Sequence, residues 1–142
     1  MIVIMLAHIT LATRDVRRTA MFYAQVFGWT SIPRPANVPA STFWLRIAPG
    51  LELHLNRVDD FQPPSHEGEY GRHMAVAYPG EDFASLKDRL RQQGAEIIAA
   101  DRATPFERFF FRDPNGYVFE VIETRRAPEE AHHAPLASST LD

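Results

Sequence analysis

Two histidines 65 residues apart, each in a strand-like run that leads into a helix-like stretch, make this chain an approximate duplicate of itself. His8 sits in the strand-like run Ile4 to Leu11, and the helix-like stretch after it ends at Gly28. His73 sits in His73-Met74-Ala75-Val76-Ala77-Tyr78, and a second helix-like stretch ends at Gly94. Each half then closes on a strand that carries an acid: Glu52 in Leu51-Glu52-Leu53-His54-Leu55, and Glu120 in Val118-Phe119-Glu120-Val121-Ile122. The glycines are offset by 66 residues and the acids by 68. A repeat that keeps histidine and carboxylate in step can bring two of each to one place, which is the make-up of a divalent metal site.

Composition narrows the chemistry. The chain has 142 residues, 45% of them hydrophobic and 23% charged, which suits one soluble domain with a real core. Its net charge of −3 gives no reason to expect nucleic acid or an anionic membrane surface as partner. The absence of cysteine excludes disulfides, thiolate catalysis and cysteine-based zinc sites. A metal must then be held by His, Asp or Glu, which suits Zn, Ni, Co, Mn or Fe(II). The apolar start Met1 to Leu6 is too short for a signal sequence and has no basic residues before it. No run approaches the roughly 18 apolar residues of a membrane span, so the cytoplasm is the expected location.

Along the chain, residues 2–11 predict a strand buried on both faces. Thr13 or Asp15 caps a helix whose stripe is Val16, Ala20, Tyr23 and Phe27, joined by Phe22 and Val26. Prolines at 33, 35 and 39 leave room only for a short strand. Thr42–Ala48 and Leu51–Asn56 predict a hairpin about Pro49-Gly50. The polar stretch Arg57 to Arg72 is either a linker between halves or a loop over a pocket. A strand over 73–78, a helix over about 82–93 and a strand over 96–99 follow. The last hairpin, Arg108–Arg112 with Tyr117–Glu123, turns on Asp113-Pro114-Asn115-Gly116. Each half therefore has the order β-α-β-β-β. Module one covers about 3–57 and module two about 72–124 of a single domain over 1–125; residues 126–142 have the composition of a tail or of an arm on a partner subunit.

Alternation along strands sorts the candidate residues. Glu52, His54 and Asn56 share one face, and Leu51, Leu53 and Leu55 the other, so the polar face is either a cavity wall or a wet exterior. Glu120 lies in a strand that is apolar on both sides. A carboxylate there must be paired, protonated or metal-bound, since an unpaired buried charge costs several kcal/mol. A salt bridge to an arginine such as Arg46 or Arg112 is the structural alternative. His73 shares its face with Ala75 and Ala77, small residues that leave space beside the ring. A lone strand histidine is commonly a hydrogen-bonded core residue; two, each matched with a carboxylate, point to ligands. His54 can line the same cavity or replace Glu52, whereas His66, His132 and His133 fit solvated roles.

Three stretches then resemble the vicinal-oxygen-chelate superfamily of glyoxalase I, fosfomycin-resistance enzymes, extradiol dioxygenases, methylmalonyl-CoA epimerase and bleomycin-binding proteins. They are His8 with Thr13-Arg14-Asp15, Phe22-Tyr23 and Phe27-Gly28-Trp29; Gly71-Arg72-His73-Met74-Ala75-Val76; and the closing hairpin Arg112 to Glu123. The resemblance covers roughly residues 5–124. It implies an α+β fold in which two β-α-β-β-β modules form a curved, partly open mixed-sheet cup around a metal. It also implies His8, Glu52, His73 and Glu120 as metal ligands, with Glu120 or Glu52 moving a proton. The implied function is that of a metal-dependent lyase or isomerase of the glyoxalase type on a small substrate with adjacent oxygens. The alternatives are an extradiol-type dioxygenase using His8, His73 and Glu120, and a non-catalytic small-molecule binding or resistance protein. A homodimer is expected. Trp44, Arg46, Phe109, Phe111 and the Arg57–Arg72 loop are the expected specificity determinants.

Overall fold

The computed structural model describes residues 1–124. The expectations for residues 125–142, with His132 and His133, lie outside the described residues. Strand β1 (His8–Thr13) leads to helix α1 (Val16–Phe27), which Asp15 caps by accepting the Arg18 N–H at 3.0 Å. Gly28, at φ 73°, ends the helix with its N–H on the Ala24 carbonyl, a left-handed conformation that glycine adopts without strain. Strands β2 (Thr30–Ser31), β3 (Thr42–Ala48) and β4 (Leu51–Arg57) complete the first module. The second repeats it: β5 (Met74–Tyr78), a short 3-10 turn (Gly80–Asp82), α2 (Phe83–Gln92), β6 (Glu96–Ala99), β7 (Arg108–Arg112) and β8 (Val118–Glu123). The two sheets have the same connectivity, β1-β4-β3-β2 and β5-β8-β7-β6. In each, the first strand runs parallel to the last and the other pairs are antiparallel. The fold is α+β as expected, and the sheets stay open.

Both modules bury their apolar faces in one shared core. Leu11, Leu45, Leu53 and Leu55 come from the first sheet, and Phe109, Phe111, Phe119 and Val121 from the second. Helix α1 joins them, with Phe22 6.3 Å from Phe111 and Tyr23 5.6 Å from Phe119 between ring centroids. Buried polar bonds cross the same junction. The Tyr23 hydroxyl donates to Asp113 at 2.6 Å, and the Tyr117 hydroxyl to the Ala12 carbonyl at 2.8 Å. Burial, and then the adjacent Asp113 carboxylate, hold the Tyr23 phenol well above its ordinary pKa; burial likewise raises Asp113.

Two expectations are corrected here. The first strand begins at His8, and Met1 to Leu6 are 64–115% exposed, because no other part of the described chain covers them. Phe109 and Phe111 belong to the core rather than to a pocket wall. Alternation in β7 turns Phe110 and Arg108 to the opposite face, the one that carries Glu120.

Candidate metal centre

The polar face of the first sheet carries the first half of the candidate site. Parallel pairing sets His8 beside Glu52 and Thr10 beside His54, while β3 sets Trp44 against His54 and Arg46 against Glu52. The His54 ring is stacked on Trp44 from one flank, with centroids 3.9 Å apart and planes 3° from parallel. From the other flank His8 stacks on it at 4.2 Å and 11°. So held, His54 points Nε2 at Glu52 Oε2, 2.8 Å away. An open hollow of about 450 Å³ adjoins this stack, with Thr10, Ser41, Trp44, His54, Asn56 and Arg57 in its wall.

The second half lies on the polar face of the other sheet. Glu120 pairs with Ala75 on one side and Phe110 on the other, and His73 stands just before β5. His73 Nδ1 is 3.0 Å from the Gly68 carbonyl, which can only accept, so this nitrogen carries the hydrogen. Nε2, the other ring nitrogen, faces Glu120 Oε2 at 3.3 Å. A proton on Nε2 would make this contact an ion pair, and a cation between the two atoms would be ligated by both; imidazole with carboxylate suits a borderline divalent ion. By this donor set, the residues fit a metal.

The other Glu120 oxygen is engaged. Oε1 accepts from Arg108 Nη1 at 3.1 Å, and Arg108 Nη2 reaches Glu69. An arginine does pair with Glu120, but it is Arg108 rather than Arg46 or Arg112: Arg46 lies opposite Glu52 in the other sheet, and Arg112 turns to Glu96 and to the Gly116 carbonyl. Strand alternation puts Arg108, Phe110 and Arg112 on one face, so β7 already contained this candidate. Nothing in the sequence marked Gly68 or Glu69, which lie in the stretch between modules.

His8, Glu52 and His54 thus come together on one sheet, and His73 with Glu120 on the other. Among the described residues, no group of three or more His, Asp or Glu is gathered in a way that could hold a metal. The reason is topological: each polar face lies on the side of its own sheet away from the shared core.

A profile of the Glyoxalase/Bleomycin resistance protein/Dioxygenase superfamily matches residues 5–121. The chain is 28% identical over 119 residues to the glutathione transferase FosA of Serratia marcescens, covering 82% of this chain and 78% of that protein. It is 22% identical over 127 residues to glyoxylase I 4 of Arabidopsis thaliana, covering 87% and 72%. The fold is that of the fosfomycin resistance protein FosX of Listeria monocytogenes, crystallised with Mn(II) and sulfate. That structure aligns with a TM-score of 0.69 at 21% identity, over 92% of this chain and 99% of that one.

Proposed function

The chain belongs to the glyoxalase/bleomycin resistance protein/dioxygenase superfamily, and from that premise we propose that it is a metal-dependent lyase or isomerase of the glyoxalase type. Its substrate is a small molecule with two adjacent oxygens. The site is completed by a second copy of the chain: His8 and Glu52 of one subunit meet His73 and Glu120 of the other. The observation that carries this reading is the pair of separated half-sites, each with a histidine and a carboxylate on a face turned away from the core.

A two-fold dimer suits these surfaces. Strands β1 and β5, which begin beside the two histidines, are both sheet edges. The exposed apolar run Met1 to Leu6 extends the β1 edge, and a second subunit is its natural cover. A two-fold axis makes each contact twice, so one dimer holds two complete sites.

A divalent metal bound there supplies Lewis acidity to the two substrate oxygens. The chain's own residues divide the remaining work. Glu120, tied by Arg108, is the anchored ligand. Glu52 is 35% exposed and braced by His54, which leaves it room to carry a proton between adjacent substrate carbons. The hollow beside Trp44 receives the rest of the substrate, with Thr10, Asn56 and Arg57 as polar contacts. Turnover of a hemithioacetal panel by protein loaded with Mn, Ni, Zn or Co tests the reading. Metal-dependent turnover that His8→Ala abolishes is expected; metal-free protein with unchanged His8→Ala activity contradicts it.

A second reading, opening of a small epoxide, is favoured by the identity to FosA, 28% against 22% for glyoxylase I 4, and by the polar hollow with Arg57, whose Nε is held by Asp59 and whose Nη groups suit an anionic substituent. Fosfomycin consumption, with and without thiols, tests it on the same metal-loaded protein.

A further inference from the structure

We propose that three consecutive residues between the modules, Glu67, Gly68 and Glu69, position the metal-facing atoms of His73 and Glu120. The proposal rests on the reading of those two residues as ligands. Each of the three residues makes a separate attachment to the half-site. The Glu67 carboxylate, 1% exposed, accepts the Val118 N–H at 2.6 Å and so fixes the start of the strand that carries Glu120. The Gly68 carbonyl holds His73 Nδ1 and thereby presents Nε2. Glu69 acts through Arg108, whose Nη2 it takes while Nη1 stays on Glu120 Oε1.

The division of the Arg108 guanidinium matters most. An arginine facing a single carboxylate tends to grip both of its oxygens. Glu69 draws one end of the fork away, so Oε2 of Glu120 stays free to face His73 Nε2. The arrangement has little freedom, since the Arg108 side chain is only 3% exposed and Nη2 also donates to the Arg102 carbonyl at 2.5 Å. Glu69 in turn accepts the Asp101 and Arg102 N–H groups at 2.6 and 3.2 Å. Burial works against a charge on Glu69, but these N–H groups and Arg108 outweigh it and hold the carboxyl below its ordinary range.

The loop that bears the three residues is itself closed. Arg72 N–H bonds the His66 carbonyl at 2.8 Å, Gly68 N–H bonds the Arg72 carbonyl at 3.2 Å, and Arg72 pairs with Glu67. A loop cross-tied in this way can hold a carbonyl and two carboxylates in fixed places, which is what oriented metal ligands require.

Mn(II) titration by electron paramagnetic resonance and the Co(II) visible spectrum test the proposal on the full-length protein. Glu69→Gln removes the negative charge that draws Arg108 Nη2 away from Glu120 and so shifts the fork toward gripping both Glu120 oxygens. It is expected to weaken Mn(II) binding about 10- to 100-fold and to alter the Co(II) spectrum, with the far-ultraviolet circular dichroism unchanged. Arg108→Lys, which keeps the charge without the fork, is expected to shift both readouts and provides the answer should Glu69→Gln not fold. Wild-type affinity and spectrum in either folded variant would overturn the proposal. His73→Ala, run alongside, separates the two claims. If it binds Mn(II) like wild type, the ligand reading itself fails; if it binds weakly while Glu69→Gln binds normally, only the positioning role is lost.

Discussion

At Asp113 one buried carboxylate serves two modules: it accepts the Asn115 and Tyr117 N–H groups of its own turn and the Tyr23 hydroxyl from α1. Tyr23→Phe removes that donor while keeping the ring, and a loss of about 1–3 kcal/mol in urea unfolding is expected. The same residue governs alkaline stability. Its folded pKa is raised and the unfolded value is about 10, so its contribution is present below about pH 10 and is lost as pH rises beyond it. Tyr23→Phe should therefore flatten the alkaline limb of a stability–pH curve. In the metal centre, the proposed division of labour separates the two acids. Glu52→Gln is expected to lower kcat about 10²- to 10⁴-fold with metal affinity largely kept, whereas Glu120→Gln should cost metal first. Equal loss of metal in both variants would contradict the division.

Among the elements, the segment between modules changes meaning most. Its proline, glycine and charge content predicts a linker or a loop over a pocket; it does link the modules, and its 66–72 stretch is in addition cross-tied against β8 and His73. Gly71 shows how tight that closure is, because a Cβ there would lie 1.7 Å from the His66 carbonyl oxygen. Gly71→Ala must open the loop, and weaker Mn(II) binding with a lowered Tm is the expected outcome. The regular elements were legible because their signals are local: the Asp15 cap, the Gly28 stop and the turn at Asp113 to Gly116 each act within a few residues. The first strand starts later than its pattern predicts because hydrophobicity says that Met1 to Leu6 need cover, not whether the same chain supplies it. Phe109 and Phe111 face the core rather than a pocket for a related reason. An aromatic run has no preferred side until the hairpin register with Glu120 is known.

On the scale of the whole molecule, the repeat of histidine and carboxylate made the site residues stand out in the sequence, but it is equally compatible with halves that meet inside one chain or across two. That choice depends on where the shared core forms, and here it forms between the two apolar sheet faces, with α1 bridging them. The polar faces are left turned outward. Lysines in place of Ile2 and Ile4 would bury charge in the proposed interface at a cost of several kcal/mol. Light scattering should then report a monomer mass, with bound metal lost in parallel. The most direct test mixes two dead variants, His8→Ala and His73→Ala, after unfolding and refolding them together. If the site is shared, a mixed dimer holds one site with both histidines, and the mixture should regain about a quarter of the wild-type metal sites and their activity. If each site belongs to one chain, every site in the mixture lacks a histidine; no recovery above the separate variants, in a mixture shown to contain mixed dimers, would contradict the account.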